Sequence, residues 1–142
     1  MSGNGSWATR TAAVLAWVPG LGFGLPGVYA IRYFAEWRQP WIFMGFPTYG
    51  GGPFEAVGID TSVPLLALFL AVCLAELALG VALWRGARLS VAAGLALLPL
   101  EFAFWIGFSL PFGYLLGAAR GAVLLVALRQ DRRNVSTAST RR

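Results

Sequence analysis

The sequence contains no histidine, no lysine and a single cysteine. Without histidine there is no Ser-His-Asp triad, no imidazole proton shuttle and no His-ligated haem or zinc. The lone Cys73 excludes an internal disulfide, a CxxC redox pair and a four-cysteine metal site. Charge is scarce too: 12% of residues, against about 25% in an ordinary soluble domain. These residues call for no metal and no cofactor.

What is present is mostly apolar. Hydrophobic residues make up 58% of the 142, and the mean hydropathy is +0.68. The length suits one domain, and the apolar fraction points to a membrane. Four runs are predicted to span it. The clearest is 62–84, whose only charge is Glu76; its helix would be about 34 Å long, enough to cross. The run 89–110 is interrupted only by Glu101, and 112–128 only by Arg120. The first run, 11–31, holds Pro19 and Pro26, which membrane helices accept as kinks. The expected fold is an all-α integral membrane protein, a four-transmembrane-helix bundle with a kinked first helix, a long aromatic first loop (32–61) and a tight hairpin between the last two helices. The tail, 129–142, is expected to be unstructured. A cleaved signal peptide is the alternative for the first run, with Arg10 as its charged start and Val28-Tyr29-Ala30 as a cleavage site. Two prolines and several glycines fit a signal core poorly.

The eleven basic residues are all arginine, and the net charge is +5. With four spans, eight arginines (Arg10, Arg85, Arg88, Arg129, Arg132, Arg133, Arg141, Arg142) fall on one side and two (Arg32, Arg38) on the other. That asymmetry predicts both termini in the cytoplasm. The basic tail suits lipid head groups. It does not suit nucleic acid, which needs a folded basic face with stacking aromatics. Arginine without lysine, beside abundant alanine and glycine, resembles small membrane proteins of high-GC bacteria, so a bacterial cytoplasmic membrane is the expected location.

The loop 32–61 is rich in Tyr, Trp and Phe, as an interfacial belt is. Residues 33–43 are expected as a surface helix broken at Pro40, and Tyr49-Gly-Gly-Gly-Pro53 as a flexible turn. The segment reads as a cap on the bundle, or else as a lid or partner-binding face. Small residues recur at four-residue spacing: Gly113, Gly117 and Gly121, a glycine zipper; Ala67, Ala71 and Ala75; and Gly20 with Gly24. Such faces let helices approach closely, within one chain or between copies. Gly22-x-Gly24-x-x-Gly27 matches a dinucleotide fingerprint but lacks the strand and βαβ context.

The intramembrane charges are the most informative residues, because an unpaired charge at a helix centre costs about 2.5–3.5 kcal/mol on insertion scales. At about 1.5 Å per residue, Glu101 and Arg120 lie about 13 and 12 Å from the outer ends of their spans. They flank the tight turn at 109–112, so an antiparallel hairpin lets them face each other as an ion pair. Glu76 lies deeper, where the long Arg120 side chain would bridge to it or its carboxyl would be protonated. Cys73, Glu76 and Gly80 share one helix stripe, Trp105 follows Glu101 by one turn, and Tyr114 would add a hydroxyl. These residues form a candidate polar membrane site walled by aromatics.

The expected function is a non-enzymatic interaction or accessory subunit of a membrane assembly. Its partners would be the lipid bilayer, a larger membrane protein or further copies of itself. Two alternatives stand beside it. One is a homo-oligomeric proton-linked carrier of small cationic or lipophilic molecules, with Glu76 or Glu101 as its site. The other is a membrane enzyme acting on a lipid or isoprenoid, with one of those carboxylates as general acid or base.

Overall fold

The fold is that of a computed structural model, which describes residues 6–139 and side-chain surroundings up to residue 130. In chain order it comprises α1 (Trp7–Trp37), a hairpin of β1 (Trp41–Phe43) and β2 (Phe46–Thr48), the one-turn α2 (Pro53–Ala56), α3 (Val63–Trp84), α4 (Ser90–Gly107) and α5 (Gly113–Ser139). Helix dominates, at 74% of the chain. Three helices, α1, α3 and α4, are long and apolar enough to cross a membrane, and the chain is a mainly helical membrane protein. The fourth long helix, α5, carries Arg120 among its apolar residues.

Local chemistry sets the helix ends. Ser6 caps α1 by accepting from the Thr9 N–H, and Ser62 caps α3 by accepting from the Leu65 N–H. The helix α1 runs through Pro19 and Pro26 and stops at Arg38, whose left-handed backbone (φ 55°) precedes Pro40. Gly86 (φ 68°) closes α3: its N–H donates to Leu83 O, and the Ala87 N–H donates to Ala82 O.

The four long helices pack antiparallel to their neighbours, α1 on α3 and α5, and α4 on α3 and α5. Glycine permits the closest approaches. A Cβ at Gly20 would lie 3.0 Å from Leu77, and one at Gly24 would lie 3.3 Å from Cys73. Gly80 lies directly beneath the Trp17 indole, whose Nε1–H donates to Leu77 O at 3.2 Å. The glycine row of α5 seats on α4: Gly113 and Gly117 lie against the Trp105 ring, and Gly121 against Leu98. Within the chain the zipper is therefore filled by a tryptophan. The Ala67, Ala71 and Ala75 row instead faces outward.

Three expectations are corrected. Residues 33–43 do not form a surface helix. Residues up to Trp37 prolong α1, and 41–43 pair as a strand with 46–48, Phe43 opposite Phe46. Met44 (φ 50°) and Gly45 (φ 85°) make the two-residue turn, both with the positive φ that a tight hairpin requires. Nor is the glycine run a loose turn. A Cβ at Gly50 would come within 2.6 Å of Pro40, and one at Gly52 would collide with the Gly107 carbonyl. The glycines are there for close approach. Finally, 129–139 is helical and continues α5, rather than forming an unstructured tail; Arg129, Gln130, Arg132 and Arg133 are strong helix formers. The end of that tail, 140–142, lies outside the described residues.

Candidate functional site

The three charges that interrupt the apolar runs come together at the centre of the bundle. Arg120 of α5 contacts Glu101 of α4 through Nη2 and Oε2, and it reaches Glu76 of α3 through Nη1 and Oε1 at 3.5 Å. All three side chains are sealed, with relative exposures of 0%, 0% and 1% for Arg120, Glu101 and Glu76. One guanidinium thus ties three helices. The tight turn after α4 places Glu101 and Arg120 level. Leu110 N–H donates to Trp105 O at 2.7 Å, and Ser109 (φ 53°) and Phe112 (φ 66°) reverse the chain within five residues.

The charges lie between two apolar layers. Toward the hairpin end is an aromatic cluster of Tyr49, Phe69, Phe104, Trp105 and Phe108, with Cys73 among them. Toward the other end are Leu79, Leu83, Val91 and Leu124, with Ala8, Ala12 and Ala13 of α1. A charge cluster so enclosed interacts strongly inside itself and pays a large desolvation cost, so every unpaired atom matters. Three have no protein partner among the described residues: Glu76 Oε2, Glu101 Oε1 and Arg120 Nε. Ordered water is the usual partner of such atoms.

The other residues of the expected pocket divide. Cys73 and Gly80 are buried on the same stripe of α3 as Glu76. Trp105 is buried one turn from Glu101, where its ring covers Gly113 and Gly117 and stacks edge-on to Phe102. Tyr114 does not join them. It is 47% exposed, because Gly113 and Gly117 turn toward α4 and residue 114 must then point away. No set of three or more His, Cys, Asp or Glu side chains among the described residues is placed to hold a metal.

A different tyrosine does reach the interior. Tyr49 is 1% exposed, donates from its hydroxyl to Phe23 O at 2.7 Å, and packs against Phe69 and Phe108. Burial, and then Cys73 nearby, pushes its phenol well above the usual range, so it stays a neutral donor. The glycine run beside it was the available signal, since three glycines in a row mark close packing as readily as flexibility. Tyr49 and Phe54 plug the hairpin end of the bundle, whereas the hairpin tip stands clear of it: Met44 is 83% exposed and Phe46 75%. Between the hairpin and the α4–α5 turn lies a cleft of about 590 Å³, lined by Phe43, Phe46, Pro47, Phe108, Leu110 and Pro111 among others. None of the three buried charges lines it.

No protein-family model, curated protein or solved structure matches the chain.

Proposed function

We propose that this chain is a four-span, non-enzymatic interaction subunit of a membrane assembly, and that it meets its partner through the outer hairpin. The observation that carries the reading is the contrast between centre and rim. Glu76, Glu101 and Arg120 are drawn together in a buried cluster, while Ile42, Phe43, Met44 and Phe46 project apolar surface beside an apolar cleft. Exposed apolar patches of this kind mark interaction surfaces. In this reading α5 is the fourth span, because an arginine already neutralised by two carboxylates no longer bars a helix from lipid. The arginine asymmetry puts both ends in the cytoplasm, and the arginine-rich, lysine-free composition favours a bacterial cytoplasmic membrane.

A photo-crosslinking residue at Met44 or Phe46, in cells expressing the chain at its native level, tests the reading. The same residue at Leu125, on the exposed face of α5, is the control. A single identified membrane polypeptide captured from 44 and 46 but not from 125 is the expected result. Lipid adducts alone from all three positions would refute it.

One observation favours a second reading. Three buried polar atoms without protein partners leave room for a proton or water at the cluster, as a proton-linked carrier needs. Glu76→Gln would then abolish coupled uptake into proteoliposomes, whereas normal uptake in that variant would remove Glu76 from such a role.

A further inference from the structure

Where α3 turns into α4, a groove of about 500 Å³ runs between the two helices. Ala75, Ala78 and Ala82 form one wall, Ala93 and Leu97 form the other, and Ala87 lies at the mouth. The first wall is two helical turns long, about 10 Å, and the second about 6 Å. The groove opens sideways: Ala75, Ala78 and Ala93 are all exposed, on faces that a membrane helix turns to lipid. Its width comes from the alanines, which leave space where larger side chains would close the seam.

Two arginines stand next to the lining residues in sequence, though neither lines the groove itself. Arg85 and Arg88 lie in the turn that joins its two walls, both exposed, and neither is in an ion pair among the described residues. The turn itself is firm. The Gly86 N–H donates to Leu83 O, the Ala87 N–H to Ala82 O, and the Ser90 hydroxyl to Ala87 O. The two guanidiniums therefore spring from a closed turn at the level where the apolar walls end. A hydrocarbon slot whose walls are joined by a turn carrying two exposed cations is complementary to a molecule with an apolar chain and an anionic head. Guanidinium also suits phosphate in geometry as well as in charge.

We infer that the α3–α4 groove binds an anionic phospholipid, with an acyl chain along the alanine walls and the phosphate between Arg85 and Arg88. Basic recesses between membrane helices take such head groups. A zwitterionic lipid fits the slot equally well but brings its own cation, and so gains less from the arginines.

The test is native mass spectrometry of the detergent-purified full chain, titrated with phosphatidylglycerol or with phosphatidylcholine. Phosphatidylglycerol should bind tighter by roughly thirtyfold, the scale set by two arginines beside an anionic head group. Arg85→Gln/Arg88→Gln should abolish that preference. Arg10→Gln/Arg129→Gln removes the same charge at the same end of the bundle, but from α1 and α5, and should keep it. Ala78→Phe/Ala93→Phe, at exposed positions, should fill the slot and remove the retained lipid. Equal binding of the two lipids would overturn the inference. So would an equal loss from the two arginine pairs, or full retention of phosphatidylglycerol after the slot is filled. A second polypeptide held in the groove in place of lipid would overturn it as well.

Discussion

At the hairpin end of the bundle, the Thr61 hydroxyl lies 2.8 Å from Glu55 Oε1 and 3.2 Å from Tyr49 O, joining the cap to the start of α3. The Gly51 backbone N–H, and then Thr61, hold the Glu55 carboxyl below the usual 4.5. A depressed carboxylate pKa stabilises the fold above the unfolded value, and that contribution is lost as pH falls through the lowered one. The cap should therefore loosen in acid, below about pH 4.5. Thr61→Val should move the Glu55 titration part of the way up, because the Gly51 bond remains; carbon-13 NMR of the glutamate side chains reads this directly, and an unchanged midpoint would contradict it. Tyr49→Phe should lower stability by about 1 kcal/mol, the usual contribution of one hydrogen bond, seen as a lower melting temperature in detergent. The pairing of Glu101 with Arg120 was legible in the sequence because both are anchored to one short turn, so counting residues fixes their depth. The place of Tyr49 was not, because it depends on how a long segment without periodicity folds back onto the bundle.

Among the elements, the α4–α5 hairpin shows how one side chain consumes a packing motif. The Gly113, Gly117 and Gly121 spacing announces a close helix contact, but not its partner. That partner is the Trp105 ring, which fits only because no Cβ stands at 113 or 117. Gly117→Ala should destabilise by about 1–3 kcal/mol through overpacking, and Trp105→Leu in the same chain should restore part of the loss. Thermal unfolding of the two variants checks this, and equal melting temperatures would contradict it. The long apolar runs of α3 and α4 were plain in the sequence, since their composition alone marks them. The outer hairpin was not, because its turn places Met44 where asparagine or glycine is the usual signal. The extra turns of α1 were hidden because the aromatic and charged residues of 33–37 read as the start of a separate surface helix rather than as a continuation of the first span.

For the whole molecule, two claims meet. The first is topology. In a Cys73→Ser background, a membrane-impermeant thiol reagent should label Ser136→Cys from the cytoplasmic side and Met44→Cys from the opposite side. Labelling of both from one side would remove the four-span arrangement. The second claim is central: Arg120 is the internal tie of α3, α4 and α5 rather than part of a ligand site. Buried ion pairs behave asymmetrically. Removing one partner strands a charge and costs about 3–5 kcal/mol, whereas replacing all of them with neutral groups costs far less. The most direct measurement is the unfolding stability of Arg120→Ala beside that of Glu76→Gln/Glu101→Gln/Arg120→Leu, each in lipid nanodiscs. The single change should be the more damaging by several kcal/mol, and the triple variant should still yield the polypeptide crosslinked from Met44. Additive losses, or a stably folded triple variant that no longer meets its partner, would contradict the account.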